Sequence, residues 1–130
     1  MTGKKILVVD DEKDIVDTIK TYLEGRGYDI LEAYNGDEAL AEAKKSPDLI
    51  LLDIMMPGID GFEVLRRLRN NVITDKIPVI MLTSKRETKS IFESQNLRAT
   101  DYIVKPFSLD KMLDLIDRYL DDDRRRPIKI

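Results

Sequence analysis

The sequence predicts an open, doubly wound α/β sheet of the (βα)5 kind, and three observations predict it. Short apolar runs alternate with stretches whose apolar residues recur at helical spacing. Runs such as Leu49-Ile50-Leu51-Leu52 are apolar on both faces of the pleat, as parallel strands covered by helices on both sides must be. Polar side chains follow the runs where such a sheet gathers its ligand site, beyond the carboxyl ends of the strands.

The strands are read at residues 5–9, 28–33, 49–52, 79–82 and 102–104. After the first, a helix carries Ile15, Ile19, Tyr22 and Leu23 on one face and stops at Gly25-Arg26-Gly27, where glycine tolerates a left-handed cap. The second helix opens at Asn35-Gly36, with Asp37 and Glu38 suiting the dipole of its first turn, and ends before Pro47. Phe62, Leu65 and Leu68 mark the third. The fifth follows Ser108 as N-cap and is expected to bury Leu109, Met112, Leu113, Ile116 and Leu120.

A chain of 130 residues supports one substantial core. We read one domain over residues 1–121 and a charged tail or linker remnant over 122–130, which contains Arg124-Arg125-Arg126. The formal charge of −3 argues against a general nucleic-acid binder. The sequence has no cysteine and no histidine, which excludes thiol chemistry, disulfides and imidazole acid–base catalysis. Oxygen ligands and a hard cation remain. No apolar run approaches the roughly 20 residues that span a bilayer, and the basic start at Lys4-Lys5 leads only into a strand.

Each polar residue at the strand ends has a plain structural reading when taken singly. Asp11 can cap a helix, Asp53 can open the turn toward Pro57-Gly58, and Thr83 can satisfy loop backbone. Lys105 reads as a surface lysine and Tyr102 as an edge packing residue. Their conjunction changes the reading, because the fold rule brings Asp10, Asp11, Asp53, Thr83 and Lys105 to one sheet edge. Carboxylates this close repel by roughly 1 to 4 kcal/mol per pair at about 4 Å. A fold keeps them together for a counter-charge, and magnesium, which takes oxygen ligands and bridges carboxylates to phosphate, is the natural one. A carboxylate is also a nucleophile whose known products include aspartyl phosphate. Asp53, at the end of the most apolar strand, is the best fixed candidate, leaving Asp10 and Asp11 for the metal and Thr83 and Lys105 for phosphoryl oxygens.

Val8-Val9-Asp10-Asp11-Glu12, Leu52-Asp53-Ile54-Met55-Met56-Pro57-Gly58-Ile59-Asp60-Gly61, Leu82-Thr83-Ser84 and Lys105-Pro106-Phe107 together resemble the receiver domain of two-component response regulators. The resemblance covers about residues 4–120 and includes the spacing between segments. It implies a flavodoxin-like sheet of order 2-1-3-4-5, with Asp53 as the phosphorylation site. It also implies Mg2+ held by Asp10, Asp11, Asp53 and the backbone carbonyl of Met55, with Lys105 contacting the phosphate. Thr83 and Tyr102 are then the switch positions, and a cis Lys105-Pro106 peptide aims the lysine inward. A sensor histidine kinase is the implied phosphodonor. The implied output is a protein target met through the fourth helix, fifth strand and fifth helix, with no direct contact to nucleic acid or membrane. A cytoplasmic monomer or weak phosphorylation-dependent dimer follows, which catalyses only its own phosphorylation and dephosphorylation.

The sequence departs from that family in places. Arg98 stands where receivers usually carry a glycine before the fifth strand, so Asn96 becomes a candidate for the left-handed cap of the fourth helix. The fifth helix lacks the charge pattern of receivers that dimerise to bind DNA. Lys85, two residues after Thr83, cannot accept a proton when charged, which predicts slow self-hydrolysis of the phosphorylated form. An alternative is the isolated receiver of a longer DNA-binding regulator. A phosphatase of the haloacid dehalogenase type would require an acid where Met55 stands.

Overall fold

The computed structural model describes residues 3–84 and 98–120. Strands β1 (Lys5–Val9), β2 (Asp29–Ala33), β3 (Leu49–Asp53), β4 (Val79–Thr83) and β5 (Asp101–Val104) form one parallel sheet of order β2-β1-β3-β4-β5. Four described helices cover it: α1 (Lys13–Glu24), α2 (Gly36–Ala43), α3 (Gly61–Arg69) and the C-terminal helix Leu109–Leu120. None of them is long and apolar enough to cross a membrane.

The alternation of the pleat divides the core in two. Leu7, Val9, Ile50 and Leu52 pack with Ala39, Val64 and Leu65 of α2 and α3. Their neighbours Ile6, Val8, Leu49 and Leu51 pack with Val16 and Ile19 of α1 and with Met112 and Ile116 of the C-terminal helix. Both faces of β1 and β3 are thus sealed, as their unbroken apolar runs require. The register sets Val9 beside Leu52 and Asp53 beside Leu82, so the residues that leave these strands emerge at one edge.

Local signals explain most element ends. The Asn35 side chain accepts from the Glu38 amide at 2.8 Å, and Glu38 accepts in turn from the Tyr34 amide at 2.8 Å. Ser108 caps the C-terminal helix by accepting from the Lys111 amide at 3.3 Å. α1 stops at Gly25-Arg26-Gly27 as expected, with the left-handed glycine at the far end of that segment. Gly25 remains right-handed at φ −63°, because the Gly25 and Arg26 amides still donate to Thr21 and Leu23. The left-handed residue is Gly27, at φ +94°.

The C-terminal helix buries Met112, Ile116 and Leu120 as expected, while Leu109 and Leu113 are only partly covered. It also buries Asp117, which its sequence neighbours give no reason to expect. Three tyrosine hydroxyls donate to aspartates around this helix: Tyr22 of α1 to Asp110, Tyr28 to Asp117, and Tyr119 to Asp101 of β5, the last at 2.8 Å. Each buried or half-buried phenol thereby finds the acceptor it requires.

Arg98 occupies the left-handed region at φ +62°. It adopts the backbone shape that a glycine would take without penalty, at a cost on the order of 1 to 3 kcal/mol for a residue with a Cβ. Asn96, Lys85, the rest of the expected fourth helix and residues 121–130 lie outside the described residues.

Candidate functional site

Asp10 leaves β1 with its amide still donating to Ala33 of β2 at 3.2 Å, so the edge of the sheet holds its backbone. One carboxylate oxygen accepts from the Glu12 amide at 3.0 Å, turning the chain toward α1. Asp53 ends β3, and the next amide, that of Ile54, donates to Leu82 of β4 at 3.1 Å. Asp10 is 0 % and Asp53 4 % exposed, whereas Asp11 stands in solvent. Ligand oxygens of Asp10, Asp11 and Asp53 all lie within 4.8 Å of one another.

Lys105 reaches in from the end of β5, its amide donating to Thr83 of β4 at 2.6 Å. Its peptide bond to Pro106 is cis. The ammonium donates to Asp53 Oδ1 at 2.9 Å and to Asp10 Oδ2 at 3.2 Å, bridging two buried carboxylates. Thr83 is buried at the end of β4, with its hydroxyl donating to the Ser84 carbonyl at 3.1 Å. Tyr102 is half-buried and packs on the core beneath α2 and α3. Met55, two residues after Asp53, is 66 % exposed.

The electrostatics follow from this packing. Burial pushes the Asp53 carboxyl up from its ordinary 3.8 to about 6; the Lys105 hydrogen bond opposes the rise, and the charges of Asp10 and then Asp11 add to it. For Lys105, burial acts downward, but the hydrogen bond and charge of Asp53, together with Asp10, outweigh it and raise the ammonium. The lysine does draw Asp53 down, as an ion-pair partner should, but the loss of solvent around the carboxylate is the larger effect. Three carboxylates against one ammonium leave two formal negative charges in excess, a deficit that suits a divalent cation with oxygen ligands.

A family model described as the response regulator receiver domain matches residues 6–117. The chain belongs to that family. Receivers are signalling phosphoacceptors rather than classical enzymes. The receiver is 49 % identical over 109 residues to the phosphate regulon transcriptional regulatory protein PhoB of Pseudomonas aeruginosa, a match over 83 % of this chain and 48 % of that protein. The chain therefore spans about half the length of that relative. It is 40 % identical over 121 residues to sporulation initiation phosphotransferase F of Bacillus subtilis, covering 92 % of this chain and 96 % of the relative. Among solved structures, chemotaxis protein CheY4 of Vibrio cholerae matches with a TM-score of 0.84 at 34 % identity, over 91 % of this chain and 99 % of that one.

Every site residue singled out in the sequence and described in the receiver lies at the carboxyl edge of the sheet except Tyr102, which sits within β5. Gly61 was quoted in the motif after Asp53, but its role escaped the sequence reading. Gly61 donates its amide to the Ile54 carbonyl at 2.8 Å, and a Cβ there would lie 2.4 Å from the Asp53 carbonyl oxygen and 2.7 Å from Ile54 Cα. Only glycine lets α3 start this close to the backbone of Asp53. The signal was the Asp60-Gly61 pair, in which Asp60 caps α3 by accepting from the Glu63 amide at 2.9 Å.

Proposed function

We propose that Asp53 is the phosphoacceptor of this receiver and that a sensor histidine kinase is its donor. An Asp53 carboxylate oxygen bonds to phosphorus as the P–N bond of the donor's phosphohistidine breaks, its electron pair returning to the imidazole nitrogen. These 130 residues contain no histidine, so the phosphohistidine lies outside them. The observation that carries the reading is the Lys105 ammonium seated between Asp10 and Asp53 at the sheet edge. A cation already aimed at the nucleophile is aimed at the phosphoryl oxygens once they replace the carboxylate charge.

Asp10, Asp11, Asp53 and the Met55 carbonyl would hold Mg2+, which when bound supplies charge neutralisation for the phosphoryl group. Support for this assignment comes from the purely oxygen donor set and the excess negative charge. Thr83 turns its hydroxyl from Ser84 toward a phosphoryl oxygen, Lys105 takes another, and Tyr102 follows Thr83 as the second switch residue. Charge-assisted hydrogen bonds contribute roughly 1.5 to 3 kcal/mol each. Two of them with the metal reach the roughly 5.5 kcal/mol that inverts a 1:99 equilibrium. The altered surface then meets a downstream protein in the cytoplasm, with the chain monomeric or weakly dimeric and making no direct contact with nucleic acid.

Mass measurement after treatment with Mg2+ and acetyl phosphate tests the proposal. Wild type gains one phosphoryl group and Asp53→Asn gains none; an unmodified wild type overturns the assignment. A second reading makes this chain the receiver portion of a longer DNA-binding regulator. It is favoured by the match to only 48 % of a transcriptional regulatory protein, and a reading frame continuing past Ile130 would establish it.

A further inference from the structure

β5 is the strand whose position burial fixes least. It has four residues, none fully buried, and among the described strands it pairs only with β4. A short edge strand with so weak an inside–outside pattern specifies its own register poorly, and a slip of one residue turns every side chain to the other face. Such a slip would carry Lys105 away from Asp10 and Asp53.

Polar contacts at the opposite end of β5 compensate. Arg69, the last residue of α3, donates from Nε to the Arg98 carbonyl at 3.1 Å, and from Nη1 to the carbonyls of Ile77 and Asp75 at 2.9 and 3.2 Å. Arg98 answers from Nη2 to the Arg69 carbonyl at 3.3 Å. An arginine at a helix end often bonds its own last carbonyls, but these acceptors belong to the segments that lead into β4 and β5. The left-handed turn at Arg98 leaves its carbonyl within reach of Arg69. Two residues later the Thr100 amide donates to Val79 at 2.8 Å and the Val79 amide donates to Thr100 Oγ1 at 2.9 Å, beginning the ladder with β4. Two guanidinium groups side by side repel, and burial and the Arg98 charge both press Arg69 down from its ordinary range. The ring of carbonyls holds the pair together against that repulsion.

We propose that Arg69 and Arg98 form a register lock for β5 and act as positioning residues that deliver Lys105 to Asp53. The delivery to Asp53 as a working phosphoacceptor rests on the function proposed above; the lock on register does not. The circuit is closed on both sides. α3 begins against the Asp53 carbonyl at Gly61 and ends at the lock, while the chain from Arg98 runs through β5 back to Lys105.

Amide hydrogen exchange on the full chain tests the lock. Arg69→Lys keeps the charge and loses the planar fork, so exchange at the Thr100 and Lys105 amides should accelerate at least tenfold more than at the distant Asp10 and Asp29 amides. Arg98→Lys keeps the carbonyl acceptor and the same backbone strain in the left-handed turn while losing the Nη2 contact to the Arg69 carbonyl, and should give a smaller, roughly threefold acceleration at the same two amides. Equal acceleration throughout the sheet, or none at Thr100 and Lys105, overturns the lock. Binding of beryllofluoride with Mg2+ tests the link to Lys105. Arg69→Lys should weaken it severalfold in the wild-type background and have no effect in Lys105→Ala; the same weakening in both backgrounds overturns the positioning role. A wild type that fails to bind beryllofluoride counts against Asp53 as phosphoacceptor, while the exchange measurement still decides the lock.

Discussion

β3 ends in a residue of the site and β5 leads directly into one, and they hold these residues by opposite means. All five residues of β3 are buried, with partners on both edges and apolar layers on both faces, so Asp53 is fixed by close packing. β5 has no fully buried residue and exposes 45 % of Val104, so Lys105 is fixed by hydrogen bonds. Packing gives a rigid carboxylate; directional polar contacts give a cation whose support can be altered without emptying the core. The two ends of one ion pair thus respond to different perturbations.

The largest difference should appear on truncating each strand. Leu51→Ala removes a fully buried side chain and should cost about 2 to 5 kcal/mol in denaturant unfolding. Val104→Ala should cost under about 0.5 kcal/mol, as surface changes do, and equal losses would break the comparison. Next comes Gly61→Ala. The added methyl meets backbone atoms of Asp53 and Ile54, which have no flexible end to move aside, and about 3 kcal/mol should be lost together with Mg2+ affinity.

The third test uses the burial of Asp53 itself. Its folded value of about 6 exceeds the ordinary 3.8, so the folded state holds the proton more tightly. The stability linked to this group is complete below pH 3.8 and is lost as the pH rises through 6. Without metal, Asp53→Asn should therefore be more stable than wild type at pH 8 by on the order of 2 kcal/mol, with the gap closing toward pH 4. Added Mg2+ should raise the wild-type melting temperature at pH 8 more than that of the variant. The smallest effect belongs to Asp60→Ala, which removes the α3 cap at a cost of about 1 kcal/mol and loosens the loop after Asp53 without touching β5.

What packing fixes was legible in the sequence, and much of what polar contacts fix was not. The runs at β1 and β3 announce parallel central strands because both faces are apolar, and Asp10 and Asp53 follow as the next residues outward. Lys105 was found through its place after the last strand, not through its two carboxylate partners. Asp117 lies between Ile116 and Arg118 like any helical surface acid, and its partner Tyr28 is 89 residues away. The pairing of Arg69 with Arg98 spans 29 residues and joins like charges, which no local pattern predicts. The glycine-like position of Arg98 was recognised, and Arg98 takes the left-handed turn itself; Asn96, the expected cap of the fourth helix, lies outside the described residues.

The three tyrosine–aspartate bonds around the C-terminal helix have a consequence for whatever is joined after Leu120. They fasten that helix near both ends and along its buried side, to α1, to the approach to β2 and to β5. Such a helix is a fixed mount rather than a tether. A reporter or effector module spliced directly onto it would inherit a defined bearing relative to the sheet, and fluorescence anisotropy of that module would report tumbling of the whole particle instead of local wobble.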